Sequence, residues 1–379
     1  MSLRAMTCIE DLRQTARRKV PRAFFDYAEA GSYSQQTLVA NRADLERIKL
    51  RQRILVDMSQ RDLSTTIIGE KAALPLALAP IGLCGMQHGD GEILACRAAQ
   101  KAGIPFTLST MSICSIEDVQ SVVSKPFWFQ LYMFRDRGFS QSVIERARAA
   151  KCSALFVTVD LPMRGQRHAD IKNGLTVPPR LTVRNAFDIA TKPAWLIKVL
   201  LGRRKTFGNV EAYLKGRVGI EKAGAWSNQN FDRSLNWRDV EWVRSLWPGK
   251  LVLKGVLDVE DAKTAASAGV DGIVVSNHGG RQLDGAHSTI RVLPDIASAV
   301  GDRIEVLFDG GIRSGHDVLK ALARGAHGCL IGRAYLYGLA ANGEAGVRQA
   351  LDIIRAELEV ALTLTGTRDV RAVTREVIG

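Results

Sequence analysis

Residues 251–275 read LVLKGVLDVEDAKTAASAGVDGIVV. Leu251–Lys254 is a short apolar run. Asp258 then stands where a helix needs its N-cap, with Asp261 three residues on, and Val259–Ala268 carries a helical pattern. Gly272–Val275 is the next apolar run. Strand, helix and strand in this order imply a parallel pair joined by a crossover helix.

The unit recurs outward in both directions. Further candidate strands are Leu76–Ala79, Ile104–Leu108, Phe127–Leu131, Ala154–Val159, Glu305–Phe308 and Gly328–Ile331. Helical stretches lie between them at Asp90–Ala102, Phe139–Ala150, Arg291–Val300 and Gly315–Ala323. Ser115, followed by Asp118, and Ser314 are usable N-caps. Eight such units close an α/β (β/α)8 TIM barrel, whereas five or six would leave an open doubly wound sheet. The segment before Leu76 reads as an N-terminal helical cap and Glu344–Leu364 as a long C-terminal helix, so residues 1–379 form a single domain. One interruption stands out. A long insertion after the fourth strand, about 161–235, separates Asp160 from a helix beginning near Asn236. A loop of that length in a compact domain is usually functional.

Composition fits this architecture. The 379 residues are 46% hydrophobic, enough for a sizeable core. The longest apolar run, Ala72 to Met86, is broken by prolines and glycines and falls short of the roughly 18 residues of a spanning helix. Glu10 and Asp11 fall where a secretory signal would need apolar residues. Six scattered cysteines without a C-x-x-C pair fit buried thiols in a reducing cytoplasm, not disulfides or a metal site.

The net charge of +13 is concentrated. Arg180, Arg184, Lys192, Lys198, Arg203, Arg204, Lys205, Lys215 and Arg217 face only Asp188 and Glu211 in the same stretch. No nucleic-acid motif accompanies these cations. Residues 193–201, apolar with Trp195, are followed by Arg203-Arg204-Lys205, which points to an anionic membrane surface.

In a TIM barrel the chemistry belongs at the carboxyl ends of the strands. Those ends supply Ala79, Ser109, Gln130 with Tyr132, Thr158 with Asp160, Lys254, Ser276 with His278, Asp309 with Gly310-Gly311-Ile312-Arg313, and Gly332-Arg333. The last two strands are the usual phosphate site of the fold. Gly311 and Gly332 let a backbone approach a phosphate, and Arg313 and Arg333 supply forked positive charge.

Residues Ser276-Asn277-His278-Gly279-Gly280-Arg281-Gln282-Leu283-Asp284 resemble the active-site segment of the FMN-dependent α-hydroxy-acid dehydrogenase/oxidase family. Phe25-Asp26-Tyr27, Leu108-Ser109-Thr110, Trp128–Tyr132, Thr158-Val159-Asp160 and Val252–Gly255 extend the likeness from about Ile9 to the C-terminus. Leu50–Leu55 and Ala79–Met86 are most similar to the family's bacterial quinone-linked L-lactate branch.

The resemblance implies FMN as cofactor and a small L-2-hydroxy acid, foremost L-lactate, as substrate. It implies His278 as catalytic base with Asp160 orienting it, and Arg281, Arg167, Tyr27 and Tyr132 as substrate ligands. Lys254 would stabilise reduced flavin. Ala79, Ser109, Gln130, Thr158, Ser276 and Asp309 would contact the cofactor. A quinone or other electron acceptor, a tetrameric homo-oligomer and peripheral attachment at the cytoplasmic face of the inner membrane complete the expectation. The chain departs from the plant and yeast pattern at Ile81, Gly82 and Met111. Gly82 and Met111 would border the substrate side chain, so a mandelate-type dehydrogenase or an oxygen-using oxidase is the alternative within the enzyme class. A basic membrane- or nucleic-acid-binding barrel is the non-enzyme alternative, against which the intact His278, Arg281 and Lys254 argue.

Overall fold

The computed structural model describes residues 5–175, 182–214, 216 and 219–379. A short antiparallel hairpin, β1 (Thr65–Ile67) and β2 (Glu70–Ala72), precedes eight parallel strands. These are β3 (Leu76–Leu78), β4 (Thr107–Ser109), β5 (Trp128–Tyr132), β6 (Ala154–Thr158), β7 (Lys250–Val256), β8 (Gly272–Val275), β9 (Glu305–Asp309) and β10 (Gly328–Ile331). Neighbours run β3-β10-β9-β8-β7-β6-β5-β4. A parallel bridge between Leu78 and Phe106 brings the two ends together, with the Leu78 amide donating to the Pro105 carbonyl at 2.9 Å. The ring is the expected TIM barrel.

Alternation along the strands divides the core in two. Ala77, Trp128, Phe156, Val252, Val274, Leu307 and Leu330 pack together as one buried cluster. Their neighbours in sequence, such as Leu76, Phe129, Leu155, Leu253 and Phe308, join the larger cluster with the helices. The hairpin, absent from the sequence reading, joins the inner cluster through Ile67 and Ile68. The Ile68 amide donates to Glu305 at 2.7 Å, at the start of β9. This end of the barrel is therefore sealed, and the carboxyl end is left for a site.

The capping expectations hold in detail. Ser115 accepts from the Asp118 amide, Asp258 from those of Glu260 and Asp261, and Ser314 from that of Asp317. Strand β4 begins later than expected, because Pro105 has no amide to give and only its carbonyl pairs. The C-terminal helix runs Arg333–Thr365 with a break at Asn342 and Gly343, so its second half begins where the sequence indicated.

The insertion is not one loop. It contains helices His168–Lys172, Val183–Ala190, Pro193–Trp195 continuing through Leu196–Leu200, Gly208–Tyr213 and Ile220–Asn230. Helices this short are marginal alone in water, so tertiary packing holds them. Tyr213 and Trp226 from the insertion meet Phe134 and Phe139 of the barrel in an aromatic cluster with ring centroids 5.0–5.5 Å apart. Arg180, Lys215 and Arg217 of the basic stretch lie outside the described residues.

Candidate active site

The turn after β8 sets the centre of the site. His278, Gly279 and Gly280 take φ values of 57°, 66° and 73°, a left-handed run that a side chain rarely adopts even once. Gly280 has no alternative, since a Cβ there would lie 2.5 Å from the Leu38 amide nitrogen. Ser276 Oγ accepts the His278 amide at 3.1 Å, and the Asn277 and Asn41 side-chain amides each donate to the other at 2.8 Å. Asn41, on helix Gln36–Arg47, was not singled out from the sequence, yet it clamps this turn.

So held, the imidazole has Nδ1 3.0 Å from Asp160 Oδ1 and Nε2 3.3 Å from the Tyr132 hydroxyl. Burial alone would raise the Asp160 carboxyl. Attraction and a hydrogen bond from His278, with attraction from Lys254, more than offset it and hold the group below its ordinary value. Burial pushes the Tyr132 phenol up, so it keeps its proton and remains a donor. Asp160 has room because residue 255 is glycine. A Cβ there would fall 2.6 Å from the Asp160 side chain, and φ is 109°.

Arg281 and Arg167 stand over the Tyr27 ring at 4.8 and 5.4 Å from its centroid. Arg167 donates to Asp170 at 2.6 Å. Burial, with repulsion from Arg167 and Arg333, pushes the Arg281 guanidinium down to about 9, still cationic at neutral pH. A carboxylate entering here would relieve that repulsion. Arg281 donates to the carbonyls of Tyr27 and Ala30, and Arg333 to those of Ala28, Ala30 and Gly279. The two arginines thus cap the carboxyl end of helix Arg22–Glu29, where cations are favoured.

A cavity of about 500 Å³ opens at the carboxyl end of the barrel. Tyr27, Gly82, Met111, Tyr132, Arg167, His278 and Arg281 line one part of it. Ala79, Thr158, Lys254, Asp309, Gly311, Arg313, Gly332 and Arg333 line another. Lys254 Nζ lies 2.9 Å from Asp309 Oδ2 and donates to Ser276 Oγ at 2.9 Å. Asp160, Ser109, Gln130 and Ser276 stand behind this lining. Ser109 donates to Gln130 Oε1 at 2.9 Å.

These residues fit a phosphorylated flavin. Gln130 Nε2 and Asp309 Oδ1 are buried with no partner among the described residues, which is costly unless a ligand supplies one. Beyond Gly332 a Cβ would meet nothing nearer than Ile81 at 3.8 Å, leaving backbone open to a phosphate beside Arg313 and Arg333. The Arg313 guanidinium makes one hydrogen bond among the described residues, to the Ile312 carbonyl at 2.8 Å.

The insertion also contributes lining residues that the sequence reading missed, among them Arg164, Asn228 and Phe231. No local pattern marks them, since their place depends on how the short helices pack. One expectation about the insertion is corrected. Trp195 does not face outward. Its Nε1 donates to the Met86 carbonyl at 2.8 Å, and its ring sits 5.0 Å from that of Phe24. Arg204 is also engaged, pairing with Asp90 at 2.7 Å and Asp118 at 2.8 Å. Among the described residues of the insertion the exposed large apolar side chains are instead Met163, Ile171, Val183, Phe187, Ile197, Leu200 and Leu201. Among the described residues no helix is long and apolar enough to cross a membrane.

Comparison with known proteins agrees with this geometry. Residues 16–379 match the family described as FMN-dependent dehydrogenase. The chain is 51% identical to an L-lactate dehydrogenase of Caulobacter vibrioides, covering 97% of this chain and 96% of the relative. It is 49% identical to one of Actinobacillus pleuropneumoniae, covering 97% of each. Among solved structures, the monotopic membrane protein (S)-mandelate dehydrogenase superposes with a TM-score of 0.94 at 34% identity, covering 99% of both chains. A mandelate oxidase with (S)-4-hydroxymandelic acid gives 0.84 at 39% identity over 98% of both. With its barrel, its cavity and its likeness over nearly the whole length, the chain belongs to the family of FMN-dependent dehydrogenases.

Proposed function

We propose that the protein oxidises an L-2-hydroxy acid, L-lactate before others, to the 2-keto acid at the carboxyl end of the barrel. The observation that carries this reading is the His278–Asp160 pair at 3.0 Å, beside a cavity where Arg281 and Arg167 meet over Tyr27. Arg281 and Arg167 bind the substrate carboxylate, and the Tyr27 and Tyr132 hydroxyls orient it. Lactate gives up two electrons and two protons to become pyruvate. His278 Nε2 takes up one proton and holds it while the Asp160 carboxylate stabilises the imidazolium. FMN, when bound, would supply the acceptor for the two electrons and for the other proton. Lys254, fixed between Asp309 and Ser276, is the cation that an anionic reduced flavin calls for. Ala79, Ser109, Gln130, Thr158, Ser276 and Asp309 hold the flavin and its side chain, and Gly311, Arg313, Gly332 and Arg333 hold the phosphate.

The whole chain acts as one domain, and electrons pass on to a membrane quinone. Peripheral attachment at the cytoplasmic face of an inner membrane, through Val183, Phe187, Ile197 and Leu201, is supported by their exposure near Arg184, Lys192 and Arg203. The chain assembles as a homo-oligomer, a tetramer by the family resemblance. A mandelate-type preference is the second reading. It is favoured by Gly82, where a Cβ would stand 3.3 Å from Met111 and 3.8 Å from the Tyr27 hydroxyl, so the bare backbone leaves this wall open. Steady-state rates of the FMN-loaded protein on L-lactate, glycolate and (S)-mandelate decide between them. The highest kcat/KM falls on L-lactate, and a higher value for mandelate would replace the first reading with the second.

A further inference from the structure

Arg167 has its carboxylate in Asp170, at 2.6 Å. Arg164, three residues earlier in sequence, has none: among the described residues it enters no ion pair and donates no hydrogen bond. Its backbone is nonetheless fixed. Gln282 Nε2 donates to the Asp160 carbonyl at 2.7 Å and the Met163 carbonyl at 2.9 Å, and Gln282 Oε1 accepts the Gly165 amide at 3.1 Å. Gly165 is tight against the Arg281 carbonyl, where a Cβ would fall 2.5 Å away. The segment carrying Arg164 is therefore anchored to the turn that bears Arg281, while its guanidinium is left without a partner.

Arg164 lies on a shared wall. Arg164, Asn228 and Phe231 line the active-site cavity and also a second cavity of about 470 Å³ beside it. The second cavity adds Arg135 and Arg233, both exposed. Among the described residues the Arg135 guanidinium donates only to the Gln229 carbonyl, at 3.0 Å. The neighbouring anion, Asp232, does not neutralise the group, because it is bound to Arg137 at 2.7 Å. Three arginines thus surround a space that contains no carboxylate among its lining residues. Partial burial and repulsion from Arg167 both push the Arg164 guanidinium down, so an anion reaching it would be favoured.

We propose that Arg164, with Arg135 and Arg233, forms a second anion subsite at the edge of the active site, which takes the distal carboxylate of a 2-hydroxy dicarboxylic acid. Its substrate would place its first carboxylate on Arg281 and Arg167 and its second on Arg164. This rests on the reading that the His278 cavity oxidises 2-hydroxy acids, and it adds a substrate class to that reading.

The experiment compares the FMN-loaded wild type with Arg164→Met and with Arg135→Gln/Arg233→Gln. Anaerobic flavin reduction is measured with L-lactate and with L-2-hydroxyglutarate, and the readout is the ratio of their kcat/KM values within each protein. Binding of the products is followed separately through the flavin spectrum, using pyruvate and 2-oxoglutarate, so that this inference is tested even if oxidation of lactate itself fails. Loss of a hydrogen-bonded charge contact predicts that Arg164→Met lowers the dicarboxylate-to-monocarboxylate ratio about 10-fold or more, in turnover and in product binding. The double variant lowers it less. An unchanged ratio in Arg164→Met would overturn the proposal. So would inorganic phosphate perturbing the wild-type flavin spectrum in an Arg164-dependent way while the dicarboxylate gains nothing, since the subsite would then serve a free anion.

Discussion

The Asp160 carboxylate and the His278 imidazole, 118 residues apart in sequence, meet at 3.0 Å through Oδ1 and Nδ1. Because Asp160 stays ionised, it accepts a hydrogen bond from Nδ1–H and leaves the Nε2 lone pair toward the Tyr132 hydroxyl and the cavity. Asp160→Asn can donate to Nδ1 instead and favour the opposite tautomer. The variant is expected to keep its FMN and to lose on the order of 10²- to 10⁴-fold in flavin reduction by L-lactate. Stopped-flow absorbance checks this, and a rate within threefold of wild type would argue that Asp160 only braces the turn.

Lys254 and Asp309 form an ion pair with side chains 5% and 10% exposed. Removing one partner leaves a buried charge, so Lys254→Met should destabilise the apoprotein by roughly 3–5 kcal/mol. Lys254→Met/Asp309→Asn should recover most of that loss while remaining poor at flavin reduction. Urea unfolding of the apoproteins measures the first effect. No recovery in the double variant would mean that Lys254 acts on stability by some route other than this pair.

How much of this was legible in the sequence follows from the range over which each feature is decided. The strands of the barrel are apolar bodies ending in polar residues, a local pattern, and they were read with shifts of one to three residues at ends such as that of β4. The phosphate-side glycines and arginines stood at adjacent strand ends and were also local. Pairing His278 with Asp160 came from family resemblance, because nothing in the spacing of two residues so far apart requires contact. The insertion was misread where tertiary packing decides. Trp195 in an apolar, basic stretch looks the same whether it faces lipid or, as here, the Met86 carbonyl and Phe24. Asn41 and Arg164 gave no local signal at all.

Arg204 ties the insertion to the barrel through Asp90 and Asp118. Burial raises the Asp118 carboxyl, but hydrogen bonds from Arg204 and Ser115 outweigh it, and its value in the folded state is depressed. A depressed carboxyl contributes its stabilisation above the unfolded value of about 3.9 and loses it as pH falls through the lower folded value. Limited proteolysis within 182–214 should therefore stay constant from neutral pH to about 4 and rise below it. Arg204→Ala should show the elevated cleavage already at neutral pH. Equal cleavage of variant and wild type at neutral pH would remove this tie from the account.

The proposed membrane attachment rests on Val183, Phe187, Ile197 and Leu201, which are exposed, and not on Trp195, which is buried. Changing these four to serine should abolish co-sedimentation with anionic liposomes while leaving flavin reduction intact. Wild-type binding should weaken with salt, since each cation near an anionic surface contributes about 1 kcal/mol that ions screen. Undiminished binding of the fourfold variant would place the attachment elsewhere.

The most direct test of the central claim is a single anaerobic turnover of FMN-loaded wild type and His278→Gln with L-lactate, followed at the flavin absorbance. Equal FMN content is expected, with rapid bleaching of the wild type and bleaching of the variant slower by at least about 10²-fold. Bleaching of His278→Gln at the wild-type rate, with FMN fully bound, would contradict that claim.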